Sequence, residues 1–408
     1  MTHPEKRYAK RIDTPDRARR FTDLVYNRER FTPEEGWKEL RRRMTFDDPP
    51  KNEFGLFFGD LHGHTNLSDG SVDVDTFFRN LRDRAKVDFC ALTDHDHGGV
   101  GRPTLWEPDP ATGLSKWDVT LQKCDEYDAP GRFTTIPGYE RDSYPWMTSL
   151  ILYCRSTQNA RMIRGAHDGE LTASELRELH GREDILYGPH DCSMVGPGCD
   201  LNGRPECLMP KTFEIYQRDG AFEYYDNPYP AADGVRGCNY IDALENGAHL
   251  ACIGCSDDHG GRGGQDLPSN PGKGYRFTGM TGVYAQENTR EGIFDALKAR
   301  RCYAFMGESR IRVDLRINNH YMGEIIEDGE NCRTIWYEVD GGDVPVERVD
   351  VIKNGRSYVF LRGTASRLFY DYQAERAEDY YYLRVRMADG RYAWTSPIWV
   401  KNTSEQEF

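Results

Sequence analysis

Short apolar runs recur along the chain, and several of them lead straight into histidine, aspartate or glutamate. The runs Phe54–Gly59, Asp88–Thr93, Arg132–Pro137, Leu150–Cys154, Ile185–Gly188, Thr212–Tyr216, Leu250–Cys255, Thr281–Ala285 and Arg301–Phe305 have the length and composition of strands. Between them, amphipathic spacing predicts helices near Val74–Ala85, Trp117–Tyr127, Ala173–His180, Tyr240–Asn246 and Arg290–Arg300. The last is the clearest: Ile293, Phe294 and Leu297 form one face, and Thr289 is placed to cap the first turn. Such strand–helix alternation implies a parallel sheet, and a barrel is the commonest way to close one.

After Gly307 the texture changes. Ile311–Ile317, Thr334–Val339, Arg348–Lys353, Tyr380–Met387 and Trp394–Val400 alternate like half-buried strands. Gly341-Gly342, Asn354-Gly355 and Asp389-Gly390 supply turns between them, which predicts a small antiparallel β-sandwich. The chain therefore divides into a polar, partly helical arm over 1–50, an α/β barrel over 51–308 and a β-sandwich module over 309–408. In the arm, Pro33–Arg43 carries Trp37 and Leu40 at helical spacing. No internal repeat is found.

Composition narrows the class. Among 408 residues, 38% are hydrophobic and 29% charged, an ordinary globular balance. The 67 acidic residues exceed the 53 basic ones, for a formal charge of −14. This argues against non-specific binding to nucleic acid or anionic membrane, which need a positive field, but leaves room for an anionic substrate in a cationic pocket. The first twenty residues are charged without an apolar stretch, so no secretory signal is expected there. No run reaches the about 18 apolar residues of a membrane span. The 11 cysteines are odd in number and scattered. They read as reduced thiols, and the expected compartment is the cytoplasm. The oligomeric state is not legible.

The chemistry concentrates at strand ends. Gly59-Asp60-Leu61-His62-Gly63-His64-Thr65-Asn66-Leu67-Ser68-Asp69-Gly70 follows the first apolar run. In an extended chain His62 and His64 lie on one side, because side chains alternate, so the two imidazoles can chelate one ion. Asp69 brings a hard oxygen a few residues on. The second run leads to Thr93-Asp94-His95-Asp96-His97, the third to Gly138-Tyr139-Glu140, a later one to Gly188-Pro189-His190, and Leu250–Cys255 to Ser256-Asp257-Asp258-His259. Each motif alone reads as a polar loop. Five together, on strands whose ends share one barrel rim, point to metal ligation. The mixed imidazole and carboxylate set suits Zn, Mn or Fe better than Mg or Ca. Cys252 and Cys255 read instead as buried thiols, since they sit on an apolar strand without a second such pair.

In order, His-x-His, Asp, Asp-His, Glu, Pro-His and Asp-x-His resemble the polymerase-and-histidinol-phosphatase (PHP) superfamily of metal-dependent phosphoesterases. GDLHGHTNLSDG, SDDHGG and ENTREGIFDALKARRCYAFMG look like one branch of it, the DUF3604 group of largely uncharacterised function. The resemblance spans about Phe54 to Gly307. It implies a distorted seven-stranded α/β barrel, a (β/α)7-type fold, holding two or three divalent ions. By position, His62, His64, Glu140 and Asp257 would hold one ion. Glu140 would bridge to a second, held also by His190, and Asp69, His95 and His259 would hold a third. The family often has a further histidine between the glutamate and the Pro-His loop, and Arg141-Asp142-Ser143-Tyr144-Pro145-Trp146 has none here.

Ions about 3.5–4 Å apart share and acidify a water that can attack a phosphoester in line. The expected function is therefore hydrolysis of a small-molecule phosphoester through a metal-bridging hydroxide. Asp94, Asp96, His97 and Asp258 flank the ligands as acid–base candidates, or as residues that orient a ligand. Gly98-Gly99-Val100-Gly101-Arg102 and Gly260-Gly261-Arg262-Gly263-Gly264 each carry an arginine on a glycine-rich loop. Arg102, Arg262 and Arg141 are candidates to grip an anionic group. The same centre could instead cleave a carboxylic ester, carbamate or amide, or the chain could be a non-catalytic binding protein. Trp106, Tyr139, Tyr144 and Trp146 near the rim keep the carboxylic substrates in view.

Overall fold

The computed structural model describes residues 52–96, 104–141, 149–158, 160, 181–190, 211–231, 236–267, 276–329 and 332–403. The expected arm over 1–50, the expected helix Ala173–His180, and the site candidates His97 and Arg102 lie outside the described residues.

The first strands are β1 Gly55–Asp60, β2 Phe89–Leu92, β3 Thr134–Arg141, β4 Leu150–Cys154, β5 Ile185–Pro189, β6 Thr212–Gln217, β7 Gly220–Ala221, β8 Ala251–Gly254, β9 Gly279–Ala285 and β10 Cys302–Met306. Among the described residues, four helices accompany them: α1 Val74–Arg79, continued by a π-helical turn over Asn80–Ala85, then α2 Lys116–Tyr127, α3 Tyr240–Glu245 and α4 Arg290–Lys298. Side chains cap them where the sequence supplies acceptors: Asp73 accepts from the Thr76 N–H, Ser115 from Asp118 and Thr289 from Gly292. On α4 the buried face is Ile293, Phe294, Ala296 and Leu297.

The architecture is mixed α/β and rich in strand, and the sheet is not wholly parallel. β1, β2 and β3 run parallel, as do β6 and β8. β4 lies antiparallel between β3 and β5, β9 is antiparallel to β1, and β10 to β9. A parallel partner needs a crossover of about a dozen residues or more, whereas only 142–149 separate β3 from β4, so the chain doubles back. Nor do the strands form the one continuous ladder of a closed barrel. The long ladder stops at β5, while β6, β7 and β8 form a separate sheet. Isolated backbone bonds bridge the gaps: Lys211 N–H to the Tyr187 carbonyl (2.8 Å), Asp257 N–H to His62 (3.0 Å) and His64 N–H to Asp258 (2.9 Å). β5 lies two antiparallel steps from β3, and the Gly63–Asp258 bridge is parallel. Hence β1, β2, β3, β5 and β8 all point one way, and their C-terminal ends share an edge.

From residue 312 the chain is all strand: β11 Arg312–Ile317, β12 His320–Tyr321, β13 Ile325–Asp328, β14 Arg333–Asp340, β15 Val346–Lys353, β16 Arg356–Arg362, β17 Ser366–Asp371, β18 Glu378–Met387, β19 Tyr392–Thr395 and β20 Ile398–Asn402. The β12-β11-β14-β17 sheet contributes Val313, Leu315, Ile335 and Tyr337 to a core shared with Val349, Val351, Leu383 and Val385 of β15 and β18. The expected strand Trp394–Val400 is two strands, broken at Ser396-Pro397, where proline has no N–H for a ladder. β19 pairs with β10, Tyr303 opposite Thr395, so one ladder runs from the N-terminal strands into the C-terminal ones. Below that junction, buried Glu223 accepts from the Tyr382 hydroxyl (2.6 Å), Arg384 Nε (2.8 Å) and Trp394 Nε1 (2.9 Å).

Candidate metal centre

β1 leads into His62 and His64, both buried. The loop after them is braced by Asp94, which follows β2. Its carboxylate accepts from the Thr65 N–H (2.7 Å), the Thr65 hydroxyl (2.6 Å) and the Ser68 hydroxyl (2.5 Å). At the turn that returns Asp69 to the histidines, a Cβ on Gly70 would fall 2.5 Å from the His64 carbonyl oxygen, so only glycine fits. β8 leads into Asp257, whose φ of 50° is left-handed, a conformation aspartate tolerates at some cost.

These ends bring their donor atoms together. His62 Nε2 lies 3.0 Å from His64 Nε2, 3.1 Å from Glu140 Oε2 and 3.4 Å from Asp257 Oδ1. His64 Nε2 lies 3.3 Å from Glu140 Oε2 and 3.1 Å from Asp257 Oδ1. Ligands on one tetrahedral ion with bonds of about 2.0–2.1 Å sit about 3.3 Å apart, so this spacing fits four ligands around one ion. A second group gathers at Asp69 Oδ1, with His259 Nε2 at 3.2 Å, His95 Nε2 at 3.4 Å and His64 Nδ1 at 3.8 Å. Glu140 reaches a third place: its Oε1 is 2.8 Å from His190 Nε2. Among the described residues, three sets could hold a metal ion: His62, His64, Glu140 and Asp257; His64, Asp69, His95 and His259; and His62, His190 and Glu214. All eight residues expected as ligands from the sequence thus fall in these sets.

The donor chemistry fits a cation better than it fits protons. His64 Nδ1 and Asp257 Oδ1 are buried without a hydrogen-bond partner. The His64 ring stacks on His95 at 4.5 Å and on His259 at 4.0 Å, a poor arrangement for imidazolium cations. Burial opposes a charge on His62, yet the Glu214 and Asp257 carboxylates outweigh it and push the ring up to about 10. Burial likewise opposes charge on Asp69, Glu140 and Asp257, but the surrounding imidazoles hold all three well below the usual carboxylate range. A divalent ion supplies the same compensation without like-charged rings in contact.

Two residues at this centre had not been singled out. Glu214, in the middle of β6, lies 3.1 Å through Oε2 from His62 Nδ1, the ring nitrogen opposite the cluster. Such a contact fixes the tautomer that leaves Nε2 free for a metal. Burial pushes the Glu214 carboxyl up. Its signal in the sequence was a lone carboxylate inside the apolar run Thr212–Tyr216. Arg218, at the tip of the β6–β7 hairpin, has Nε 3.7 Å from Asp257 Oδ2.

The acid–base and substrate candidates are distributed differently. The Asp94 carboxylate is engaged with the Thr65–Ser68 loop. Asp258 Oδ2 accepts from the Gly260 N–H (3.0 Å) and the Arg262 N–H (2.6 Å), which shapes the glycine-rich turn. Arg141 is buried and donates through Nη1 to buried Asp96 at 3.1 Å. Arg262 is exposed, and its guanidinium makes no hydrogen bond or ion pair among the described residues. Cys252 and Cys255 are buried free thiols.

Residues 263–338 match the family described as protein of unknown function (DUF3604). The chain resembles the DUF3604 group. The DUF3604-like chain is also 25% identical over 374 residues to an uncharacterized protein of Chlamydia pneumoniae, and 28% identical over 380 residues to one of Chlamydia trachomatis serovar D. Each alignment takes in 85% of this chain and 57% of the relative, so the chain spans little more than half the length of these curated relatives. Among solved structures it is similar to a two-domain protein from Bacteroides vulgatus that contains a predicted PHP-like metal-dependent phosphoesterase. That likeness has a TM-score of 0.44 at 14% identity and covers 86% of this chain and 97% of the other. The metal argument therefore rests on this chain's own side chains. Among the described residues, no helix is long and apolar enough to cross a membrane.

Proposed function

We propose that the chain is a metal-dependent hydrolase that cleaves a phosphoester of a small anionic molecule. The observation that carries this reading is Glu140, whose two oxygens face different donor groups: Oε2 the His62–His64 pair and Oε1 His190. That is the disposition of a carboxylate between two neighbouring ions. His62, His64, Glu140 and Asp257 would hold the first ion, Glu140 and His190 the second, and Asp69, His95 and His259 the third. Zn, Mn or Fe suits this nitrogen and oxygen set. Divalent ions supply Lewis acidity there and acidify a water toward neutrality.

The chain's own residues do the rest. Glu214 orients His62, Asp94 holds the Thr65–Ser68 loop, and Asp258 holds the Gly260–Arg262 turn. His97 is assigned proton transfer to the leaving oxygen, and Arg102 and Arg262 the anionic part of the substrate, on their places after the strand-end motifs.

The reading is tested by metal analysis of the purified protein, removal of metal with a chelator, and restoration with Zn, Mn or Fe in turn. Each form is assayed on phosphomonoesters, phosphodiesters, carboxylic esters and carbamates. Turnover of a phosphoester that disappears with the metal and returns with one of the three is expected. Turnover of carboxylic esters or carbamates alone would replace the substrate class. A protein that retains no metal would end the proposal.

A further inference from the structure

Arg218 sits beside the metal centre with two long ion pairs and no hydrogen bond from its guanidinium among the described residues. It and Asp219 are the two central residues of the turn between β6 and β7, closed by the Gln217–Gly220 pair. The hairpin is firmly seated. The Phe222 N–H bonds to the Ile215 carbonyl (2.7 Å), the Ala221 N–H bonds to Tyr229 (2.7 Å), and the Glu223 network follows immediately. Beside it, Cys255 N–H bonds to the Tyr216 carbonyl (3.0 Å), which sets the end of β8, and hence Asp257, against the β6 turn.

Among the described residues, Arg218 is the one arginine or lysine within 4.0 Å of the carboxylates of Asp69, Glu140, Glu214 or Asp257. Its Nε is 3.7 Å from Asp257 Oδ2 and 4.0 Å from Asp219 Oδ1. Both distances are too long for hydrogen bonds. Arginines that serve the fold elsewhere in this chain behave otherwise: Arg384 meets Glu223 at 2.8 Å and Arg141 meets Asp96 at 3.1 Å, all four side chains buried. The Arg218 side chain is 37% exposed. Its donors are thus available beside the metal centre, on a short rigid turn rather than on a glycine-rich loop.

We propose that Arg218 forms an oxyanion subsite of the metal centre, binding the phosphoryl oxygens of the substrate from the Asp257 side. This rests on the phosphoester reading given above. Asp257 Oδ1 faces the imidazoles of His62 and His64, and Oδ2 faces the arginine. Once a cation is shared with Oδ1, the carboxylate holds the guanidinium less tightly. The fork can then take two oxygens of a tetrahedral anion. Because the turn is seated before substrate arrives, little ordering is needed on binding.

The test uses the metal-loaded full chain and inorganic phosphate, titrated by calorimetry into wild type, Arg218→Ala and Arg218→Lys, with metal content and far-ultraviolet circular dichroism measured for each. Metal content should be equal in all three. Phosphate should bind about tenfold or more weakly to the alanine variant, the scale of one lost charge-assisted contact. The lysine variant should fall between, since an ammonium keeps the charge but not the fork. Should the alanine variant fail to fold, the lysine variant decides alone: unchanged phosphate affinity overturns the subsite. Wild-type affinity in the alanine variant overturns it too and leaves the phosphoester reading standing. Loss of metal in a folded alanine variant also overturns it, because Arg218 would then serve Asp257. A wild type that holds metal and binds no phosphate overturns both.

Discussion

Glu214 and His62 meet across the back of the imidazole, Oε2 to Nδ1 at 3.1 Å, while the front of the ring, Nε2, looks into the carboxylates of Glu140 and Asp257. Replacing Glu214 by Gln keeps the shape but offers a neutral acceptor. Metal affinity should fall about 10–100-fold, the usual effect of losing a partner behind a ligand. Equilibrium dialysis against a competing chelator measures this directly. Affinity equal to wild type would show that His62 needs no help from β6.

Glu140 supplies a different test, because one of its oxygens meets His62 and His64 and the other His190. Glu140→Gln removes the negative charge between two donor groups with almost no change in volume. Turnover should drop by at least about a hundredfold, with the circular dichroism spectrum retained. A variant that binds its full complement of metal and works at near wild-type speed would contradict a bridging role.

Asp94 makes a prediction about stability rather than chemistry. Its carboxylate satisfies one backbone N–H and two hydroxyls in a buried loop. Asp94→Ala should cost about 2–4 kcal/mol, since buried donors left without partners lose their solvation outright. Urea unfolding monitored by fluorescence gives the value. Metal stoichiometry should fall as well, because the same loop carries Asp69. A change below about 0.5 kcal/mol, the range of ordinary surface substitutions, would rule out the bracing role.

Glu223 is held by Tyr382, Arg384 and Trp394 and should behave as a buried anchor. Glu223→Ala strands Arg384 without its carboxylate and leaves Tyr382 and Trp394 without their acceptor. A destabilisation of about 3–5 kcal/mol is expected from breaking such a pair on one side only. Differential scanning calorimetry should show a lower transition temperature with metal content unchanged in the folded fraction.

Particular residues explain what the sequence could and could not disclose. The helices over 116–127 and 290–298 were legible because their apolar residues recur at helical spacing, and in the second the Thr289 cap agrees with the face. The eight residues from His62 to His259 were legible because each follows an apolar run, and a polar side chain at a strand end is conspicuous. Glu214 was hidden by its neighbours: inside a strand, Phe213 and Ile215 dominate the pattern, and one carboxylate does not say what it meets. The direction of β4 was equally hidden, because Leu150–Cys154 reads the same in either sense; only the short link before it forces the reversal. Asp94 and Asp258 resemble acids in a list of residues. Their donors are backbone N–H groups and hydroxyls, which only a folded loop supplies.

Because Tyr303 of β10 pairs with Thr395 of β19, the sheet that ends at the metal rim is finished only by strands far downstream of the metal ligands. Until the residues around Thr395 emerge, β10 presents an unpaired edge on that side, and Glu223 waits for Arg384 and Trp394. A nascent chain stalled before Tyr392 would carry both an open strand edge and an unmatched carboxylate, features that invite chaperones or aggregation. The strands β18 to β20 therefore complete the sheet that leads to the metal ligands, although no candidate ligand among the described residues lies on them.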